Sequence, residues 1–395
     1  MYLTEKHIIK RTHQFYNECD RLCFQSKNIY NQGLYNVRQH YFNTKTYLNY
    51  YGNYDLTKTQ ECYDYLPKKV FCQTLKHVDM VFKSFFALLK NKTVKNRLPK
   101  YLDKIDGRYI TIFPKQAIGL REFKKTGKLR LSQTDIYINT KLTDFSSLKE
   151  VRIVPRTHHY VIEVVYQVKE KTHCDNGKYA SIDLGLNNLA TVTFNDGSKP
   201  LIVNGRPLKS INQYYNKKKA QYQSRLKGNK RTSKRIYKLT DKRNNKVSDY
   251  LHKASRLLVN QLVSQGITTL VIGKNPKMKQ DINIGKVNNQ NFVLLPIMRF
   301  SDLMKYKCEL EGIKVLFNEE SYTSKCSFLD GEPICKHDKY MGKRVKRGLF
   351  VSRSGIKVNA DVNGAYNIML KAIPNAFVDG IEGVGVHPMV VTIKK

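Results

Sequence analysis

The sequence has no tryptophan, no apolar run of membrane-spanning length, and few acids: 32 Asp and Glu stand against 70 Lys and Arg. Without such a run no helix can cross a bilayer. The N-terminus MYLTEKHIIKR lacks the apolar core of a secretory leader, so nothing there marks the chain for export and a cytoplasm is the expected location. The eight cysteines are scattered at 19, 23, 62, 72, 174, 308, 326 and 335, which fits reduced thiols rather than a small disulfide scaffold. The shortage of acids leaves a net charge of +38, which repels itself in a free chain and is relieved against a polyanion. Nucleic acid is expected and a membrane surface is not, because the basic residues spread along the chain instead of gathering on one amphipathic anchor.

Against that background the segment Tyr179 to Gly205, YASIDLGLNNLATVTFNDGSKPLIVNG, reads as a three-strand meander. Its alternation places Tyr179, Ser181 and Asp183 on one face of the first strand and Ala180, Ile182 and Leu184 on the other. Asp196-Gly197 supplies turn chemistry before the third strand. A carboxylate in an otherwise uncharged strand costs several kcal/mol unless something neutralises it, so Asp183 calls for a partner. A metal ion and a set of turn amides both qualify on this segment alone.

Before the meander, residues from about Thr12 to Lys95 read mostly as helix. VFCQTLKHVDMVFKSFFALLK places Val70, Leu75, Val78, Val81, Phe82, Phe85, Phe86 and Leu89 on one helical stripe, the pattern of a core face. Tyrosines among the basic residues can stack on bases or pack at the surface. From about Leu98 the short alternating runs YITIF, KLRLSQTDIYINT, EVRIVP and HHYVIEVVYQV argue for a compact antiparallel module. After the meander comes a densely basic stretch from Arg206, whose second half has a helical apolar face at Leu251, Ala254, Leu257, Leu258 and Leu262. TTLVIG then reads as a buried strand, and a basic loop runs from Lys274 to Pro296. Ile297 to Gly312 forms a helix and IKVLFNEESYTSK a strand. A final helix begins near Asp361 with Ala365, Ile368 and Met369 inward.

Strand, strand, strand, helix, strand, helix, strand and a helix with an acid at its start: this order resembles the ribonuclease-H-like (RNase H-like) fold of the RuvC nucleases. The chain is similar to the transposon-encoded TnpB family, relatives of the compact type V CRISPR effectors. The carriers are SIDLGLNNLATV, FCQTLKHVDMVFKSFF, ESYTSK and NADVNGAYNI. The resemblance implies an α/β fold plus a β-barrel: an N-terminal β-barrel (wedge) module with its first strand at 1–11, interrupted by a helical recognition insertion at 12–97 and completed at 98–172. An RNase H-like (RuvC) nuclease domain follows at 173–376, with a degenerate zinc-finger-like loop at 326–353 and a tail at 377–395.

It further implies an RNA-guided DNA endonuclease, working with a guide RNA from the transposon end on double-stranded DNA beside a short adjacent motif, by Mg²⁺-dependent two-ion hydrolysis. A monomer is expected. The alternatives are a nuclease-dead guided repressor and a guide-independent transposase or resolvase. Asp183 and Asp361 match the family's first and third acids. Many relatives carry the second just after the fourth strand, where this chain has Lys274 and Asn275. Two ions need more charge than two aspartates supply, so the second acid is expected at Glu320, with Glu319 in reserve. Relatives usually carry two Cys-x-x-Cys pairs before Asp361. Here Cys326 and Cys335 stand with only His337 nearby, so no structural zinc is expected. The loop KHDKYMGKRVKRG is read as a basic hairpin or an active-site lid.

Overall fold

The computed structural model describes residues 1–90, 97–275, 296–346, 348–378, 380 and 383–393. The basic loop expected from Lys274 to Pro296 lies almost wholly outside them. The chain forms two compact units, Met1–Lys169 and Glu170–Lys395. Among the described residues no helix is long and apolar enough to cross a membrane.

In the first unit, strand β1 (Tyr2–Ile9) is followed by helices α1 (Tyr16–Thr44), α2 (Tyr50–Thr57) and α3 (Lys68–Leu89). Then come β2 (Thr111–Pro114), a short helix α4 (Leu120–Thr126), the three-residue strands β3 (Lys128–Arg130) and β4 (Tyr137–Asn139), β5 (Leu148–Pro155) and β6 (Tyr160–Gln167). β1 pairs antiparallel with β6 across all eight residues, so the helical block is inserted between one strand and its partner. The sheet order is β1-β6-β5-β2, and β3 pairs with β4 alone. The barrel expected from the sequence is therefore an open sheet with a separate hairpin: β3 and β4 are too short to bridge its edges. The α3 stripe buries Val70, Leu75, Val78 and Phe82, but it runs out before its end, where Leu89 is 46% exposed.

The second unit holds a six-stranded sheet. Its strands are β7 (Tyr179–Leu184), β8 (Asn188–Phe194), β9 (Leu201–Asn204), β10 (Thr269–Lys274), β11 (Lys314–Glu319) and β15 (Met389–Val391), in the order β11-β10-β7-β8-β9-β15. The meander is antiparallel, while β10 runs parallel to both β7 and β11. Parallel neighbours need crossovers, and helices supply them: α5 (Arg206–Gln223) and α6 (Lys234–Ser264) lead from β9 to β10, and α7 (Ile297–Leu310) precedes β11. The basic run is thus two helices, the second capped by Ser233, whose hydroxyl accepts from the Ile236 amide.

Alternation along β7 divides the layers. Ala180, Ile182 and Leu184 join Leu251, Ala254, Leu258 and Leu262 of α6 and Phe300 and Met304 of α7 in one apolar core. The opposite face carries Ser181, whose hydroxyl donates to the Ala365 carbonyl at 2.6 Å. That carbonyl belongs to α8 (Ala360–Ala372), which follows a small sheet of β12 (Lys343–Lys346), β13 (Leu349–Val351) and β14 (Lys357–Val358).

Candidate functional site

Asp183 is the penultimate residue of β7, on the face that α8 crosses. A Cβ added at Gly364 of α8 would lie 3.1 Å from its Oδ2, so the helix backbone passes directly over the carboxylate. Among the described residues no hydrogen bond reaches the Asp183 side chain. Burial, then the nearby Glu320 and Asp361 carboxylates, push its pKa up to about 8 against the opposing pull of Arg344. Three acids from separate elements therefore share one electrostatic neighbourhood.

Asp361 enters on the first turn of α8. Asn359 caps that helix, its side chain accepting from the Asp361 and Val362 amides at 3.0 and 3.3 Å. Each Asp361 oxygen has a partner: Oδ2 accepts from Asn188 Nδ2 at 2.7 Å, and Oδ1 lies 3.5 Å from Arg344 Nη2. Asn188 belongs to the first residue of β8 and Arg344 to the exposed strand β12.

The two candidate glutamates face different ways. Glu319 ends β11 at the surface, where Lys371 stands 3.0 Å from its Oε2 and the Ser321 hydroxyl also donates to it. The Ser321 and Lys371 contacts hold its carboxyl below the ordinary range. Glu320 turns inward and lies over Gly273 of β10: a Cβ there would come within 2.5 Å of Glu320 Oε1. Burial, then Glu319, push the Glu320 carboxyl up to about 7.

Among the described residues no three His, Cys, Asp or Glu side chains are drawn together tightly enough to hold a metal ion. The acids are neighbours through charge, with Asp361 occupied by Asn188 and Arg344. The donor chemistry nevertheless suits a hard divalent cation: carboxylate oxygens only, on three side chains, two of which have raised pKa values.

The loop before α8 has a different anchor. Cys326 Sγ donates to the Cys335 carbonyl at 3.6 Å, and Cys335 Sγ lies 3.4 Å from His337 Nε2. Buried Glu332 ties its two ends, accepting from the Ser327 amide at 2.7 Å and the Met341 amide at 2.9 Å. Sequence reasoning missed four residues of the site: Asn188, Gly273, Arg344 and Gly364. Arg344 sits in the loop read as a basic hairpin or lid, so the sign of its charge was visible but not its target. The two glycines carry no signal apart from the atoms they admit.

The fold and site together define a mixed α/β protein with acids converging from an inner strand, a strand end and a helix N-terminus. The family model described as "Probable transposase" (OrfB_IS605) matches residues 159–279, and that of the "Cas12f1-like, TNB domain" matches 298–368. The "TnpB-like protein ORF457" of Acidianus two-tailed virus is 29% identical over 210 residues, 50% of this chain and 42% of its own length. The "CRISPR-associated endodeoxyribonuclease Cas12f2" of Micrarchaeota archaeon (strain CG1_02_47_40) is 23% identical over 266 residues, 64% of this chain and 47% of its own. The chain spans about half the length of these curated relatives. A Cas12f1 chain, solved by cryo-EM as a complex with sgRNA and target DNA, shares the fold with a TM-score of 0.55 at 16% identity, over 90% of this chain and 82% of that one. Over these segments the chain is similar to the TnpB family.

Proposed function

We propose that the protein is an RNA-guided endodeoxyribonuclease of transposon origin, cutting DNA beside a short adjacent motif, with an RNase H-like (RuvC-type) second unit. The convergence of Asp183, Glu320 and Asp361 carries this reading, since among the described residues no cation stands at hydrogen-bond distance from the partly buried Asp183, whose pKa burial and the two neighbouring acids raise. These carboxylates would hold Mg²⁺ as a two-ion site. When bound, such ions supply Lewis-acid activation of water and stabilisation of the departing oxygen.

The chain's own residues do the rest. Asn188 fixes the orientation of Asp361 through Oδ2. Arg344 neutralises Oδ1 and must give way for that oxygen to ligate. The basic helices α5 and α6 offer phosphate contacts, so affinity for guide and target falls steeply with salt, while base pairing supplies the sequence choice. A guide RNA, a double-stranded DNA target and a monomeric state in a prokaryotic cytoplasm belong to the same reading.

The test is guide-directed cleavage by Glu320→Ala and Glu319→Ala, after sequencing of the RNA that copurifies. Loss of cutting in the first and retention in the second is expected. Full cutting by both removes the acid from β11. The nuclease-dead repressor is the second reading, favoured by the Arg344 contact on Asp361; guided binding without Mg²⁺-dependent cutting in the unaltered protein would establish it. Activity that survives RNase treatment would point to a guide-independent transposase or resolvase.

A further inference from the structure

Asn28, Gln32 and Tyr35 of α1 are spaced by four and three residues, so they share one stripe, opposite the buried Leu22, Tyr30 and Val37. With Gln60, Tyr65 and Tyr101 they line a cavity of about 440 Å³ inside the first unit, a size suited to a small ligand. Its chemistry is unlike that of the chain around it. The sequence holds 70 Lys and Arg, yet none of the residues described as lining the cavity is one of them, and Glu61 is the lining carboxylate. A seat without a cation does not suit a phosphate. The lining pairs rings with amides instead: Tyr35 is 51% and Tyr101 43% exposed, and among the described residues the Asn28 and Gln60 side chains make no hydrogen bond. The segment carrying Tyr101 is fixed from behind by α1. Asn31 donates to the Leu102 carbonyl at 2.9 Å and accepts from the Leu102 amide at 3.0 Å. Lys27 Nζ donates to the Lys104 carbonyl at 2.7 Å, and Arg38 donates to the Pro99 carbonyl at 3.3 Å while its guanidinium covers the Tyr101 ring at 4.8 Å.

Resting on the reading of the chain as one that holds RNA and DNA, we propose that this cavity takes a single nucleobase, adenine, drawn out of its stack. The tyrosines supply a stacking face, a contact that every base accepts. The unpaired amides of Asn28 and Gln60, each a donor beside an acceptor, choose the edge. Adenine is the base that such an amide meets twice, through N6 and N7. Glu61 spends one oxygen on the Tyr65 hydroxyl at 2.9 Å and keeps the other as an acceptor for the exocyclic amine, which uracil and thymine lack. Rings and amides reach the face and the edge of one base together only when it has left the helix, so this is not the reading of pair edges along an intact duplex.

The experiment titrates the full-length protein, freed of copurified nucleic acid by high salt, with short single strands at one fixed low salt concentration. The strands are uridine alone, uridine with one central adenosine, and the matching thymidine and deoxyadenosine pair. One adenine should tighten binding about tenfold, the worth of one bidentate contact to a base edge. An advantage in the RNA strands names the guide as the source of the base and one in the DNA strands names the target; either upholds the seat. Asn28→Ala/Gln60→Ala should erase the advantage while leaving the uridine-strand affinity and the melting temperature unchanged, because neither amide holds the fold. Tyr101→Ala should weaken the adenine strand about tenfold through the lost stack. Equal binding with and without adenine in both RNA and DNA overturns the seat, as does an advantage that survives Asn28→Ala/Gln60→Ala. Guided cleavage by the same protein reports on the underlying reading: cutting without any adenine advantage sinks the seat alone, whereas a protein that binds no single strand of either kind loses both.

Discussion

Asp20 in α1 and Asp183 in β7 are both carboxylates drawn into the protein, and their surroundings treat them in opposite ways. Arg108 donates to Asp20 through Nε and Nη2, each at 2.9 Å, and the Tyr160 hydroxyl donates at 2.5 Å. The Arg108 hydrogen bonds, with help from Tyr160, hold the Asp20 carboxyl below its ordinary value despite partial burial. Asp183 has two acids for neighbours, and its proton is held up to about 8. An acid that serves the fold comes with its cation in the same chain. One that is left short of positive charge points to something the chain must acquire.

The largest expected effect is on Asp183→Asn. Cutting should fall to background, while the metal-free protein gains about 1 kcal/mol in denaturant unfolding at neutral pH, because the cost of keeping a buried carboxyl protonated there is removed. Asp20→Asn should do the reverse, losing about 1–2 kcal/mol after allowance for its partial exposure and leaving Mn²⁺ binding intact. If Asp183→Asn destabilised the metal-free protein as Asp20→Asn does, the contrast would collapse.

Acidity sharpens the same comparison. Asp183, raised from 3.8 to about 8, and Glu320, raised from 4.5 to about 7, keep protons in the folded state that the unfolded chain has released. The metal-free protein should therefore lose stability as pH rises through that window, and Mn²⁺ should bind more tightly over the same range. The Asp20 contribution runs the other way, present above its unfolded pKa and lost as pH falls through the lower folded one. Thermal melts of the Asp183→Asn and Asp20→Asn proteins across pH separate the two slopes.

Glu332 extends the contrast to an acid that holds a loop. Glu332→Ala should cost about 1–3 kcal/mol, the penalty for leaving the buried Ser327 amide unmet, and phenanthroline should leave the melting temperature of the parent protein unchanged. One equivalent of zinc in the purified protein would contradict the second. The smallest effect belongs to Glu319→Ala: its exposed pair with Lys371 is worth less than about 1 kcal/mol, and cutting should persist.

Much of the second unit is legible in the sequence because its signals are local. Alternation around Asp183, the turn at Asp196-Gly197 and the helix start near Asp361 each depend on a few adjacent residues. The helix before TTLVIG likewise suited it to a parallel crossover, which says how β10 runs but not that it lies beside β7. What the sequence cannot convey is which side chains meet across long separations. Asn188 reaches Asp361 over 173 positions, and Gly273 meets Glu320 only because β10 and β11 are neighbours. The open sheet of the first unit was hidden for a related reason: four alternating runs look alike whether they close into a barrel or not, and the short reach of β3 and β4 decides it. Between Glu319 and Glu320, alternation says that they point apart but not which points inward.

Side-by-side parallel strands finish at the same rim, and that geometry has an evolutionary consequence. A reactive group can pass from one strand to its neighbour while every backbone hydrogen bond of the sheet stays in place. If Glu320 is the second acid, an inventory that demands an acid at one fixed strand end would discard this chain although the group it looks for stands one strand over.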